Sequence, residues 1–244
     1  MAEGGTKPPF VGTLVLGDIP LDEVEPYLNQ ETLFASRWQF RQGKDAESWE
    51  RLKSDRVTPI FEKFMSMVRT QGIIKPAVVY GYFECEKIGN GLLVKGKRRE
   101  FRFDFPRERV APNRCLADLF GSGFAAFQLA TVGGGVGKAS ADAFARGRFS
   151  DSFYLKGLAA EFAEAVAKYV HQRIRGELSV GEDTGERFSP GYPAFPNLLD
   201  QRKIVELLGV ACIGVTVTET SQLVPEYSTS AIVSIDEKAR HFRP

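Results

Sequence analysis

One arginine heads an unusually stiff stretch. Arg187-Phe-Ser-Pro-Gly-Tyr-Pro-Ala-Phe-Pro196 holds three prolines, a glycine and three aromatic residues in ten positions. Each proline fixes its own φ and pushes the preceding residue toward extended geometry, which excludes the stretch from helices and from the middle of a sheet. A segment that loses little entropy on ordering suits a rigid ledge presenting backbone groups and a planar guanidinium to an anionic ligand. The plainer alternative is a loop that packs its aromatics on a core.

Few other residues offer chemistry. The histidines are His171 and His241, and no Cys, His and carboxylate cluster surrounds either, so zinc chemistry is disfavoured. His171, near the end of a basic run, reads as a helix-end charge. Glu164 reads as an exposed partner of Lys168 one turn on. Cys85, Cys115 and Cys212 are far apart and odd in number, which fits neither a disulfide framework nor a metal spacing and suits a reducing, cytoplasmic setting. Thr131-Val-Gly-Gly-Gly-Val-Gly-Lys-Ala-Ser140 resembles a phosphate loop. However, Val132 stands where its first glycine belongs, and Ala139 replaces the hydroxyl that would hold magnesium. It reads as a strand-to-helix linker. No G-x-S-x-G elbow occurs, and no G-x-G-x-x-G follows a strand with an acid about 20 residues on.

The elements that must position these residues follow from periodicity. Strands are expected at 10–16, 77–83, 91–95 (after an Asn90-Gly91 turn), 101–105, 123–131, 210–218 and 228–235, the last two as neighbours. Asp18 is a candidate cap for a short helix through Leu28, and 36–40 fits a strand or a helical turn. Helical spacing dominates 46–71, with Thr58 as a cap, Pro59 at the first helical position and Gly72 as the stop. The clearest helix is 152–175, whose apolar face runs from Leu155 to Ile174. A shorter one spans 199–208, with Asn197 as cap. Residues 1–9 read as a flexible leader and 10–244 as one α+β domain.

Composition sets the outer limits. Of 244 residues, 43% are apolar and 26% charged, as in ordinary globular chains. The net charge of +1 gives no push toward nucleic acid or an anionic membrane. No apolar run reaches the roughly 18 residues of a membrane span.

Several segments, in order, resemble the activation (reactivation) domain of cobalamin-dependent methionine synthase. Arg187–Pro196 is similar to that family's R-x-x-P-G-Y-P-A-C-P signature, with Phe195 where cysteine is frequent. Leu155–Arg173 resembles its long helix, Val217-Thr-Glu-Thr220 with Pro225 and Ser228-Thr-Ser230 its T-E-S…P-x-x-S-x-S segment. Cys115–Asp118 and Ile19–Leu28 also match. The resemblance implies a C-shaped α+β domain with a twisted, mainly antiparallel sheet and flanking helices, distinct from the Rossmann methyltransferases. It implies binding of S-adenosylmethionine and reductive methylation of inactive cob(II)alamin to methylcobalamin, with the cobalamin held by a partner domain or subunit of methionine synthase. A flavodoxin-like donor would supply the electron. A docking module without S-adenosylmethionine, or an activator of another corrinoid methyltransferase, are the alternatives.

The resemblance also assigns roles by position. Arg187 would hold the methionyl carboxylate, and Gly191, Tyr192 and Ala194 would form the ledge, with Tyr192 toward the corrin. Glu164 would lie near the methionyl ammonium. Asn29 stands where the family has aspartate, and His241-Phe242 where it has an aromatic pair near the adenosine.

Overall fold

The computed structural model describes residues 7–40, 46–121 and 123–244; residues 1–6 of the expected leader lie outside the described part. Its strands are β1 (Gly12–Leu16), β2 (Ala77–Ile88), β3 (Gly91–Lys95), β4 (Glu100–Asp104), β5 (Phe124–Thr131), β6 (Glu186–Phe188), β7 (Thr216–Val217), β8 (Leu223–Val224) and β9 (Ser228–Ser234). Its α-helices are α1 (Leu21–Val24), α2 (Ala46–Leu52), α3 (Thr58–Gln71), α4 (Gly135–Ala145), α5 (Phe149–Glu177) and α6 (Asp200–Leu208). Among the described residues every strand pairing is antiparallel. The main sheet runs β4-β3-β2-β5-β9-β6, with β1 on the other side of the first part of β2, while β7 and β8 pair apart. The fold class is thus the α+β arrangement expected.

β5 is buried along almost its whole length, so both faces of the sheet are covered. On one face Val78, Tyr80, Tyr82, Ala126, Ala130 and Val233 meet α5 and the helices before β2. On the other, Val79, Phe83, Phe127, Leu129, Ile232 and Phe188 meet α6, Phe103 and Phe195. The 29-residue α5 is the main cover. Its Leu155, Leu158, Phe162, Val166, Val170 and Ile174 are all buried, each contributing about 1.5–3 kcal/mol by leaving water. Gly157 interrupts the helix interior because Trp38 lies on it; an added Cβ would come within 2.7 Å of the indole.

Several local expectations are corrected. Asp18 does not cap α1; it adopts φ 50°, and Pro20 holds the cap position without a side-chain bond. Of the two readings of 36–40 the strand fails and the helical turn holds at its start, because Ser36 and Arg37 complete the π-helical turn Thr32–Arg37. Thr58 is inside α3 rather than its cap, and the chain enters through another π turn at Lys53–Val57. A widened turn relieves the clash that Pro59 would make with the carbonyl four residues back. The hairpin turn is Gly89-Asn90, one residue earlier than expected, since Ile88 pairs with Gly91. Asn197 accepts a bond from the Leu199 amide at 3.2 Å instead of capping α6. The strand expected at 210–218 is largely a 3-10 turn, Val210–Ile213, bounded by Gly209 and Gly214 at φ 67° and 71°. Left-handed residues at both ends end the extension, so β9 pairs with β5 and β6 instead.

Candidate functional site

Arg187 is the middle residue of β6, the last strand of the sheet. Opposed residues of an antiparallel pair share a face, and Arg187 opposes Val233, which packs in the α5-side core. Its side chain therefore turns toward α5. There Arg187 Nη2 donates to Glu164 Oε2 at 3.4 Å, and the arginine side chain is 16% exposed against 39% for the glutamate. Glu164 thus pairs with the strand and not, as its spacing suggested, with Lys168.

Further along the same helix face, Arg175 fixes the start of the strand. Its Nε and Nη2 donate to the carbonyls of Thr184 and Gly185 at 2.7 and 3.1 Å. His171 stands between Glu164 and Arg175, seven residues after one and four before the other, which is one stripe of a helix. It is buried, and its Nε2 has no hydrogen-bond partner. Burial, followed by the charges of Arg175 and Arg187, pushes its pKa down to about 3. His171 is therefore neutral at pH 7 and is not the helix-end charge that its basic neighbours suggested.

Asn29 reaches α5 one turn earlier. Its backbone N–H donates to Glu161 Oε1 at 3.2 Å, while its side-chain Oδ1 accepts the Thr32 amide at 2.9 Å. The Asn29 side chain thus caps the following helical turn. The carboxylate beside it is Glu161, whose side chain is 2% exposed and lies 3.9 Å from Arg37. Burial raises the Glu161 pKa, and the Asn29 bond opposes that shift.

The ledge after β6 is built by one inward and one outward ring. Gly191 adopts φ 92°, a region that L side chains rarely enter. Its N–H donates to the Phe195 carbonyl and the Phe195 N–H to that of Tyr192, both at 2.8 Å. Phe195 is fully buried against Phe105 and Phe103, with ring centroids 5.0 and 6.0 Å away, and Ala194 is buried beside it. Tyr192 is left 62% exposed, with Leu198 and Leu199 also exposed beyond it. The Gly191 amide is spent inside the ledge.

His241 and Phe242 lie on the other side of β6. Both rings pack on Phe188, at 5.3 and 6.5 Å, and Phe188 turns away from α5. The two halves meet at the strand's outer edge, where Glu186 Oε1 accepts the Arg187 N–H at 3.0 Å and lies 3.5 Å from His241 Nε2. The structure therefore joins Arg187 with Glu164, places Asn29 one turn away along α5, and sets His241-Phe242 across the strand. Sequence reasoning missed Glu161, and it misread His171. Their spacing of three residues before and seven after Glu164 was the available signal.

This arrangement can hold a zwitterion. One largely buried guanidinium meets the Glu164 carboxylate, with Glu161 one helical turn before it and an exposed aromatic ledge a few residues further along the chain, which suits an amino acid moiety joined to an apolar group. No group of three or more metal-ligating side chains gathers among the described residues, and no helix there is long and apolar enough to cross a membrane.

The family described as "Vitamin B12 dependent methionine synthase, activation domain" matches residues 20–243. The methionine synthases of Mycobacterium tuberculosis and Mycobacterium leprae are each 31% identical over 272 residues; each alignment covers 96% of this chain and 23% of the relative. The chain thus spans about a quarter of the length of these relatives. Among solved structures, the crystal structure of the MetH reactivation domain bound to AdoHcy superposes with a TM-score of 0.82, covering 97% of this chain and 82% of that one at 21% identity.

Proposed function

The chain belongs to the family of vitamin B12-dependent methionine synthase activation domains, and on that premise we propose that it binds S-adenosylmethionine and supports methylation of a reduced corrinoid carried by a partner domain. The observation that carries this reading is Arg187, held on an edge strand with its guanidinium largely buried against Glu164. A largely buried arginine with one long ion pair has donors to spare, and a ligand carboxylate fits its planar fork. Glu164 then receives the ligand ammonium, with Glu161 rather than the Asn29 side chain as the next negative group. Gly191 and Ala194 shape the ledge, Tyr192 faces the partner, and His241 and Phe242 flank the adenosine from the far side of β6.

The corrinoid, when bound to its partner, supplies the nucleophile for the methyl group. The work left to this chain is to orient the sulfonium and keep water out, which needs no general base. A flavodoxin-like protein is the electron donor in this reading, and the cobalamin domain of a methionine synthase is the partner.

A docking module without S-adenosylmethionine is the second reading. It is favoured by the Asn29 side chain, which is spent on a cap, and by His241, which faces Glu186. Calorimetry with S-adenosylmethionine decides between them. Arg187→Ala should weaken binding by roughly 1.5–3 kcal/mol, the worth of hydrogen bonds to a charged group. The absence of heat with the unaltered chain at millimolar ligand sinks the first reading, and unchanged affinity in the variant sinks the carboxylate role.

A further inference from the structure

We propose that the His171 imidazole is a second hydrogen-bond donor to the carboxylate that Arg187 receives. The proposal rests on the S-adenosylmethionine reading and extends it to a residue outside the expected ligand set.

Three observations converge on it. First, β6 is strapped along α5 at two points, Arg187 on Glu164 and Arg175 on the Thr184 and Gly185 carbonyls. His171 occupies the helix position between the straps, on the same stripe. Second, it is 5% exposed and its Nε2 has no partner. A buried polar atom without a partner costs the protein stability and calls for an explanation. Third, its charged neighbours are the guanidinium groups of Arg175 and Arg187. Two cations around a neutral imidazole create a field that attracts an anion and disfavours another cation.

A carboxylate drawn to Arg187 enters that field. With its Nε2 protonated, the neutral ring donates to a carboxylate oxygen and forms a charge-assisted bond, stronger than one to water. Glu164, already paired with Arg187, is then freed toward the ligand's ammonium. His171 touches the ligand in this scheme but not the reacting methyl, so it is a binding residue.

The test compares S-adenosylmethionine with its decarboxylated analogue, which keeps the sulfonium, amine and adenosine. In His171→Leu, S-adenosylmethionine affinity should fall about tenfold or more, while affinity for the analogue stays within about twofold. The melting temperature should not fall, because an orphaned polar atom has been replaced by an apolar group. His171→Gln, which returns a nitrogen near the Nε2 position, should recover most of the loss. In the unaltered protein, ¹⁵N NMR of the imidazole should show its pKa rising on saturation with S-adenosylhomocysteine, since a nearby anion favours the protonated ring. Equal losses for both ligands in the leucine variant overturn the proposal, as does undiminished S-adenosylmethionine binding. An imidazole spectrum indifferent to ligand overturns it even if the variants fail to fold. If the unaltered chain binds neither ligand, the S-adenosylmethionine reading itself fails.

Discussion

Two polar clusters sit on α5, and they are finished differently. Near its C-terminus, Glu177 accepts the Tyr80 hydroxyl at 2.6 Å and the Tyr82 hydroxyl at 2.9 Å, while Arg173 Nε donates to both Tyr80 and Glu177 at 2.9 Å. Phe10 closes the cluster, its ring 5.9 and 5.0 Å from those of the two tyrosines. Toward the helix middle, Glu164 and Arg187 meet at 3.4 Å and His171 Nε2 meets nothing. Both clusters join the helix to the same sheet, so burial alone does not separate them. The difference is saturation. A network whose donors and acceptors are all matched rigidifies a fold, whereas one with spare donors has capacity for a ligand.

The largest expected effect breaks the closed cluster. Glu177→Ala removes the acceptor of two buried hydroxyls, and should cost about 2–4 kcal/mol. A fall in melting temperature of about 5–10 °C would register it, with S-adenosylmethionine affinity unchanged in the folded fraction. Arg187→Ala should do the reverse, losing the affinity given above while the melting temperature moves by no more than about 2 °C. A variant that shifted both quantities together would erase the distinction between the clusters.

Titration sharpens the comparison. Burial, then the Glu177 bond, pushes Tyr80 up to about 12 from 10.0. The folded state therefore holds its proton longer than the unfolded chain, and the stability this contributes is full below about pH 10 and lost as pH rises toward 12. His171 runs the other way, from 6.5 down to about 3. Between those values the unfolded chain binds more protons, so stability is full above pH 6.5 and lost as pH falls toward 3. Tyr80→Phe should flatten the alkaline limb of a melting-temperature profile, and His171→Leu the acid limb. The smallest effect is expected at the ledge. Tyr192→Ala removes an exposed ring and should leave stability within about 0.5 kcal/mol while weakening capture of a cobalamin-domain partner in a pull-down.

Local signals were read well where a single element could satisfy them. The alternation of Phe101, Phe103 and Phe105 gave β4, and the apolar stripe from Leu155 to Ile174 gave α5, because each burial face is set by residues a few positions apart. The stretch before Thr216 was misread because Gly209 and Gly214 take left-handed conformations around the 3-10 turn Val210–Ile213 and end an extended run. Of the candidate site, Arg187 and the ledge stood out from composition, and Glu164 only through the resemblance. Their partners were not legible, since Glu164 could as readily have paired with Lys168 on its own helix.

The sequence by itself therefore determined most helices and strands, the stiffness of the ledge and the family; α4 was not among them, since it begins at Gly135 inside the stretch read as a linker. These depend on backbone preferences and side-chain periods within about ten residues. Only the tertiary structure decided that Arg187 turns toward α5 while Phe188 carries His241 and Phe242 to the opposite face, because that choice is set by the register of β6 on β9. It likewise decided that Asn29 serves Glu161 across 132 positions, and that His171 is buried beside two guanidiniums. Such contacts arise when distant segments exclude water together, and no local pattern encodes which of them will meet.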